Sequence, residues 1–409
     1  MPESNRTEYV VAVDVGSSKI ACLIAQVHDG HLEVVGRSLA PSFGVRGGDV
    51  SEISRAADST IIAVAEAAAA CGVRVHSVFV CTTGADVKTD RTTARVDVPR
   101  YRSQISARDA SRLMDNARRD FPLPDDRILL SMRPLTWSVD DLCSVEEPVG
   151  LTGRSLRAEL AVVSVLKNRV RDLRKLLHEA GMYVEGILPE PEASAAGCLS
   201  DDERRLGALV VNIGAATVHA GILVGRGHAG IGASRAWPSG SQQWTEALMA
   251  RFRMSMACAE RVKREVAEVE SPNASPGGAT SEMIEVSTID GQGTRGVPLC
   301  EIGSELRSQA VAALEQVRDF CREQSFHPAQ AAGVVLTGGG AALKGIAPLA
   351  REIFGAPCRL GAPSLPNVKD PAFASVAGAL AWGAEQRASS REGFLDRCSK
   401  RLRRVAAIF

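Results

Sequence analysis

Periodicity and turn chemistry predict an α/β chain of two lobes. Two strand meanders occur, at 9–38 and 206–236, each opening with a strand that carries an acid or an amide near its end and runs into a turn of small residues. A third buried strand, 333–336, runs into Thr337, Gly338, Gly339 and Gly340. At 409 residues the chain also exceeds one ordinary domain.

In the first meander, the apolar run Val10 to Val15 is broken only by Asp14, and Gly16 opens the turn. Residues 17–26 and 32–38 resume β-type composition. The Ala-rich stretch 56–72 reads as a helix closed by Gly72, and 77–81 as a short buried strand. A more polar module at 85–165 holds a helix at 107–120 and strands at 127–138 and 156–166. Helix 167–180, closed by Gly181, leads to strand 183–188 and a helix at 193–199. The charged run Asp201 to Arg205 reads as a solvated boundary between lobes. The second meander has strands at 206–213, 218–224 and 229–236. Helices follow at 242–252 and 258–269, then a Pro/Gly-rich loop at 271–278 and a helix at 306–324. Another helix is expected to open at Ala341. The expected boundaries are a first core at 9–84 plus 166–200, an inserted subdomain at 85–165, and a second core at 206–241 plus 300–388. A further subdomain at 242–299, a linker at 389–393 and a terminal helix at 394–409 complete the division.

Composition narrows the function. Lys+Arg and Asp+Glu number 48 each, so no global basic field points to nucleic acid as a partner. The ten cysteines include no C-x-x-C pair, which argues against a zinc knuckle or disulfide framework and for reduced thiols in a cytosolic protein. The first eight residues are too few for a secretory signal. The most apolar helical stretch, 61–73, contains Glu66 and is too short to cross a bilayer.

Three turns have the chemistry of a phosphate site. In Asp14-Val15-Gly16-Ser17-Ser18-Lys19, the Asp14 carboxylate at a strand end can hold a hydrated Mg²⁺ through water. Gly16 permits a tight turn, Ser17, Ser18 and backbone N–H groups can face phosphate oxygens, and Lys19 adds a point charge. Asn212-Ile213-Gly214-Ala215-Ala216-Thr217 occupies the same place in the second meander, and Gly338, Gly339 and Gly340 let backbone lie against a planar ring or a phosphate. Ordinary hairpins and a generic strand–turn–helix carry the same residues, so specificity lies in the order of the three. Neither G-x-x-x-x-G-K-[ST] nor an early G-x-G-x-x-G is present.

That order resembles the actin, sugar-kinase and heat-shock-ATPase superfamily, and within it the bacterial cell-division FtsA family. The similar segments are Val13 to Lys19, Gly44 to Val50, Glu190 to Ala195, Leu336 to Ala341 and Ala374 to Ala379. The resemblance runs from about Tyr9 to Phe409. It implies an actin-like two-lobed fold of duplicated ribonuclease-H-like domains, with an FtsA-type inserted subdomain in the first lobe. It also implies ATP and Mg²⁺ as ligands, Glu190 near an attacking water, and Glu260 and Lys263 approaching ribose and adenine. Glu190 could instead end a strand, and Glu260 and Lys263 could be a solvated i,i+3 pair. The small residues Ala374, Ala377 and Gly378 would permit close helix crossing at the hinge.

The implied partners are the tubulin-like FtsZ, through 242–299, further copies of the chain, and other division proteins. The implied place is the cytoplasmic face of the inner membrane. A sugar- or acetate-kinase-like phosphotransferase and an actin-like pilus or segregation protein are the alternatives. The second phosphate motif departs from the family pattern at Asn212, Ala215, Ala216 and His219, where acids and glycines are usual. Asn212 brings no negative charge to Mg²⁺ and the alanines resist φ > 0, so slow or absent hydrolysis is expected.

The terminal segment stands on its own pattern. At about 100° per residue, Phe394, Leu395, Cys398, Leu402, Val405, Ala406 and Phe409 share an arc of roughly 120°, with Ile408 at its edge. Arg397, Lys400, Arg401, Arg403 and Arg404 occupy the rest, and Asp396 is the single acid. Such an amphipathic helix suits an anionic lipid surface, each cation contributing about 1 kcal/mol.

Overall fold

The computed structural model describes residues 8–406 apart from 29–30, 83, 100, 226–229, 267, 270–281 and 291–292, and for 391–406 it describes the backbone alone. The first lobe opens with β1 (Glu8–Val15), β2 (Lys19–His28) and β3 (His31–Pro41). The small hairpin β4 (Val45–Arg46) and β5 (Asp49–Val50), helix α1 (Ile53–Ala69) and β6 (Ser77–Thr82) follow. The inserted module comprises β7 (Lys88–Asp97), α2 (Ala107–Asp120), β8 (Arg127–Val139), β9 (Leu142–Val145) and β10 (Ser155–Leu166). The lobe resumes with α3 (Lys167–Glu179), β11 (Tyr183–Pro189) and α4 (Glu190–Cys198), and α5 (Asp201–Leu206) leads out of it.

The second lobe contains β12 (Ala208–Ile213), β13 (Val218–Val224), β14 (Gly230–Trp237), α6 (Ser241–Phe252) and α7 (Met256–Arg261). The hairpin β15 (Met283–Ser287) and β16 (Thr294–Pro298) precedes α8 (Leu299–Glu323), β17 (Val334–Thr337), α9 (Ile346–Phe354) and β18 (Cys358–Leu360). The long helix α10 (Ala374–Ala406) ends the described chain.

The duplication is structural. The first sheet has the order β11-β6-β1-β2-β3 and the second β14-β13-β12-β17-β18, the same arrangement read from opposite ends. In each, the leading strand pairs antiparallel with the next strand and parallel with a later one. Asp14 therefore lies between Ala21 and Cys81, and Asn212 between His219 and Thr337. Apolar residues on both faces of β1, including Val10 to Val13, pack beneath covering helices, as parallel-paired strands require.

Helices α4 and α10 cross at the hinge with almost no space between them. A Cβ on Gly197 would stand 1.9 Å from the Ala374 carbonyl oxygen, and one on Gly378 would stand 1.9 Å from that of Ala193. Only glycine permits that approach, because a methyl group would have to displace backbone.

Several expectations need correction. Glu190 does not end a strand; it opens α4, where an acid is favoured at the positive helix end. The charged run near Asp201 is itself a helix, α5, with a reciprocal cap between Ser200 and Glu203. The helix expected at 258–269 begins instead at Met256, and after Arg261 it widens into a π-helical turn over Val262–Val266, where it ends. Helix α8 begins at Leu299, seven residues before the expected 306, where the chain leaves β16 at Pro298. After Thr337 the chain makes a single 3₁₀ turn, Gly339–Ala342, and α9 starts only at Ile346, because Gly338 and Gly345 adopt positive φ. The linker expected at 389–393 is helical within α10, since that stretch holds no proline to break the hydrogen-bond ladder. The loop at 271–278 lies outside the described residues, as do Ile408 and Phe409.

Candidate functional site between the two lobes

The first two turns close in the same way. Gly16 N–H donates to the Lys19 carbonyl at 3.1 Å, and Gly214 N–H donates to the Thr217 carbonyl at 2.8 Å. Ser17 Oγ accepts from Gly48 N–H at 2.9 Å, so the β4–β5 hairpin leans on the first turn. Neither Ala215 nor Ala216 has positive φ. The expected conflict between alanine and backbone geometry is therefore absent, and their carbonyls accept from Gln242 and Gly240 at the start of α6. The third loop touches both turns. A Cβ on Gly338 would lie 2.3 Å from Asn212 Oδ1, one on Gly340 2.3 Å from Ile213 Cγ2, and one on Gly339 3.1 Å from Lys19 Nζ.

Charge is concentrated where the turns meet. Burial pushes the Asp14 carboxyl up to about 6, with neighbouring Glu190 adding to the rise and Lys19 opposing it. Burial pulls Lys19 below its ordinary value, against the attraction of Asp370 and Asp14; Arg264 pulls it further down. Asp14 Oδ1 is buried with no hydrogen-bond partner in the protein.

Beside it lies a polar knot that spans both lobes and both hinge helices. Glu190, 3% exposed, accepts on Oε1 from Ser194 Oγ, from Asn212 Nδ2 at 2.5 Å and from Ser375 Oγ at 3.1 Å. Asn212 Nδ2 also donates to Ser194 and Ser375, at 2.9 Å each. Glu190 Oε2 accepts no hydrogen bond and stands 3.6 Å from His219 Nδ1. His219 Nε2 bonds Thr217 Oγ1 at 3.1 Å, and burial lowers the imidazole pKa despite the Glu190 charge. An amide beside Glu190 thus replaces a like charge with a donor.

Glu260 and Lys263 form an ion pair at 2.7 Å that is buried on the lysine side only, the Glu260 side chain being 43% exposed. Lys263 is 8% exposed and donates to Thr245 Oγ1 at 2.7 Å and to the Ser241 carbonyl at 3.0 Å, while Glu260 accepts from Thr245 at 2.7 Å. The pair ties α6 to α7 and to the turn that follows it. Sequence reasoning missed Ser194, Ser375, Arg264 and Asp370 as members of the site. The available signal was a single serine within each small-residue hinge segment, Glu190 to Ala195 and Ala374 to Ala379.

The inserted module also reaches the second lobe. Arg91 Nε donates to the Gly232 carbonyl at 3.0 Å, and Thr89 and Ser234 hydroxyls lie 2.6 Å apart. Its strands therefore cover the edge strand β14, protecting unpaired backbone groups.

Comparison with known proteins follows the same division. The sequence model described as cell division protein FtsA matches residues 209–378, and that of the SHS2 domain inserted in FtsA matches residues 84–164; together they span more than half of the chain. The cell division protein FtsA of Pseudomonas aeruginosa is 29% identical over 383 residues, covering 92% of this chain and 89% of that protein. FtsA of Escherichia coli is 24% identical, covering 94% and 92%. Among solved structures, a PilM–PilN type IV pilus biogenesis complex shares the fold with a TM-score of 0.63 at 18% identity, over 92% of this chain and 98% of that one. MreB5 of Spiroplasma citri bound to AMPPNP gives 0.52 at 12% identity, over 96% and 100%. With an actin-like two-lobed fold and an inserted module at the FtsA position, the chain belongs to the FtsA family of cell-division proteins.

Proposed function

We propose that this actin-like division scaffold binds ATP with Mg²⁺ between its lobes, and that its terminal helix anchors it to the cytoplasmic face of the inner membrane. The supporting observation is the convergence of three loops on a cluster whose buried oxygens, Asp14 Oδ1 and Glu190 Oε2, have no hydrogen-bond partner within the protein. A polar ligand in the cleft would answer both. Lys19 and the N–H groups of the first two turns would face phosphates, Gly338 to Gly340 would lie along the nucleoside, and Asp14 would orient metal-bound water. A bound Mg²⁺ would offset phosphate charge. Lys263 is engaged with α6 and would act by fixing the cleft wall, whereas Glu260, with its exposed carboxylate, would approach the ribose.

Turnover is proposed to be slow. One oxygen of Glu190 already holds three donors, and Asn212 points its amide at that carboxylate instead of adding charge near a metal. Among the described residues no helix is long and apolar enough to cross a membrane. The five cations and apolar arc after Phe394 suit interfacial binding, and self-association would multiply a weak individual hold. FtsZ as a partner, through 242–299, and recruitment of later division proteins rest on the family.

Co-sedimentation with anionic vesicles, with and without Mg-ATP, tests the reading. The full chain should pellet with vesicles and a chain ending at Gly393 should stay in solution. Equal pelleting of the two would exclude the terminal helix as the anchor.

A further inference from the structure

Beside the hinge helices lies a cavity of about 290 Å³. Among the described residues its walls come from β8 of the inserted module, β11, the hinge helices α4 and α10, α5, and the second-lobe strands β13 and β14. Leu188, Leu223, Ile231 and the half-buried Trp382 supply its apolar lining, among charged side chains. Glu192 is 8% exposed, yet its Oε2 accepts no hydrogen bond. Arg133 Nε stands 3.2 Å away at ion-pair distance, but that side chain is 44% exposed and its Nε also faces Ser131 Oγ at 3.3 Å.

Arg204, the other cation on the wall, donates to the Ala196 and Leu199 carbonyls at the end of α4. The carboxylates of Asp201 and Glu385 add negative charge to the lining. A buried carboxylate without a hydrogen-bonded donor, set over an aromatic and aliphatic floor, has the chemistry of a cation site.

We propose that this hinge cavity binds a small organic cation with a flat apolar body, its amidine or amine pairing with Glu192 and its ring lying on the Trp382 side of the floor. Arg133 is a partial stand-in for that cation, its planar head offering donors like those of an amidine. Because the walls belong to both lobes, an occupant would favour one lobe angle. The inference goes beyond the nucleotide reading and does not depend on it.

Benzamidine, titrated into the full chain without nucleotide, is the probe. Calorimetry and tryptophan emission should show saturable binding with a Kd of about 0.1–1 mM. Of the four tryptophans, Trp382 lines this cavity. Glu192→Gln should weaken binding at least about tenfold. Arg133→Ala should tighten it by freeing the carboxylate, an effect that a purely structural ion pair would not produce. Ala381→Leu, which would fill the cavity from α10, should abolish binding in a chain that still melts cooperatively. Benzyl alcohol, with the ring but no charge, should bind at least tenfold more weakly than benzamidine. No saturation, or equal affinity in the parent and Glu192→Gln, overturns the proposal and leaves the phosphate-side cleft unaffected.

Discussion

Asn212→Asp would place an acid where family members usually carry one, and in this chain that acid would face Glu190. Asn212 Nδ2 stands 2.5 Å from Glu190 Oε1 and shares its two protons among Glu190, Ser194 and Ser375, so the exchange removes those donors and sets two carboxylates against each other. At a separation of about 3 Å and an effective dielectric of about 20, two full charges repel by roughly 5–6 kcal/mol. Protonating one of them is the cheaper escape. Near pH 7.5 that costs about 4–5 kcal/mol for a carboxyl with an ordinary value near 4.3, and near pH 5 only about 1 kcal/mol. The carboxyl pair would have a folded-state value raised above its unfolded one, so stability is retained in acid and lost as pH rises through the raised value.

Denaturant unfolding without nucleotide is the assay. Relative to the parent, Asn212→Asp should lose about 3–5 kcal/mol near pH 7.5 and much less near pH 5, and adding Glu190→Gln should restore most of the difference. A gap between variant and parent that does not change with pH would refute the geometry assigned to this knot.

Three further outcomes follow from the structure. Lys19→Ala should weaken binding of a fluorescent ATP analogue by about 10- to 100-fold, the loss of one charge-assisted contact; unchanged affinity would remove Lys19 from the site. Gly378→Ala puts a methyl group 1.9 Å from the Ala193 carbonyl oxygen and should cost more than about 3 kcal/mol in thermal or denaturant unfolding. A parent-like melting curve would show that the hinge helices can separate freely. Arg387 on α10 donates to Glu185 and to the Tyr9 carbonyl at 2.6 Å, and although burial pushes Glu185 up, the Arg387 hydrogen bond and charge hold it below the usual range. That depressed value contributes stability above about pH 4.5, lost as pH falls through the folded-state value. Arg387→Ala should therefore cost about 2–3 kcal/mol near neutrality, with the gap closing in acid; a pH-independent gap would contradict the ion pair.

Local pattern carried most of the two-lobed architecture. The strands of both meanders, the turns after Asp14 and Asn212 and the glycine loop at Gly338 follow from strand composition and turn chemistry, which act over a few residues. Strand β7 was missed because its exposed face reads Arg91, Thr93, Arg95 and Asp97, and those polar residues mask the pairing with β10 that makes it a strand. The start of α9 was misplaced because alanines after glycine favour a helix, whereas the positive φ values that delay it are fixed by packing of Gly338 against Asn212 and Gly345 against Val269.

The apolar runs, the acid and amide at matching strand ends, the glycines and the basic stripe after Phe394 are properties of neighbouring residues, and the amino-acid order alone establishes them. The partners of those residues are another matter. Asn212 reaches Glu190 across 22 positions and Ser375 across 163, and no periodicity encodes a contact at that range. Lys263 could be solvated or buried until α6 packs over it, and Glu192 becomes a buried carboxylate facing Arg133 only when two lobes, a hinge and an inserted sheet close around it. Burial and hydrogen-bond competition arise when distant segments exclude water together, so the chemistry at Glu190 and Glu192 belongs to the folded chain.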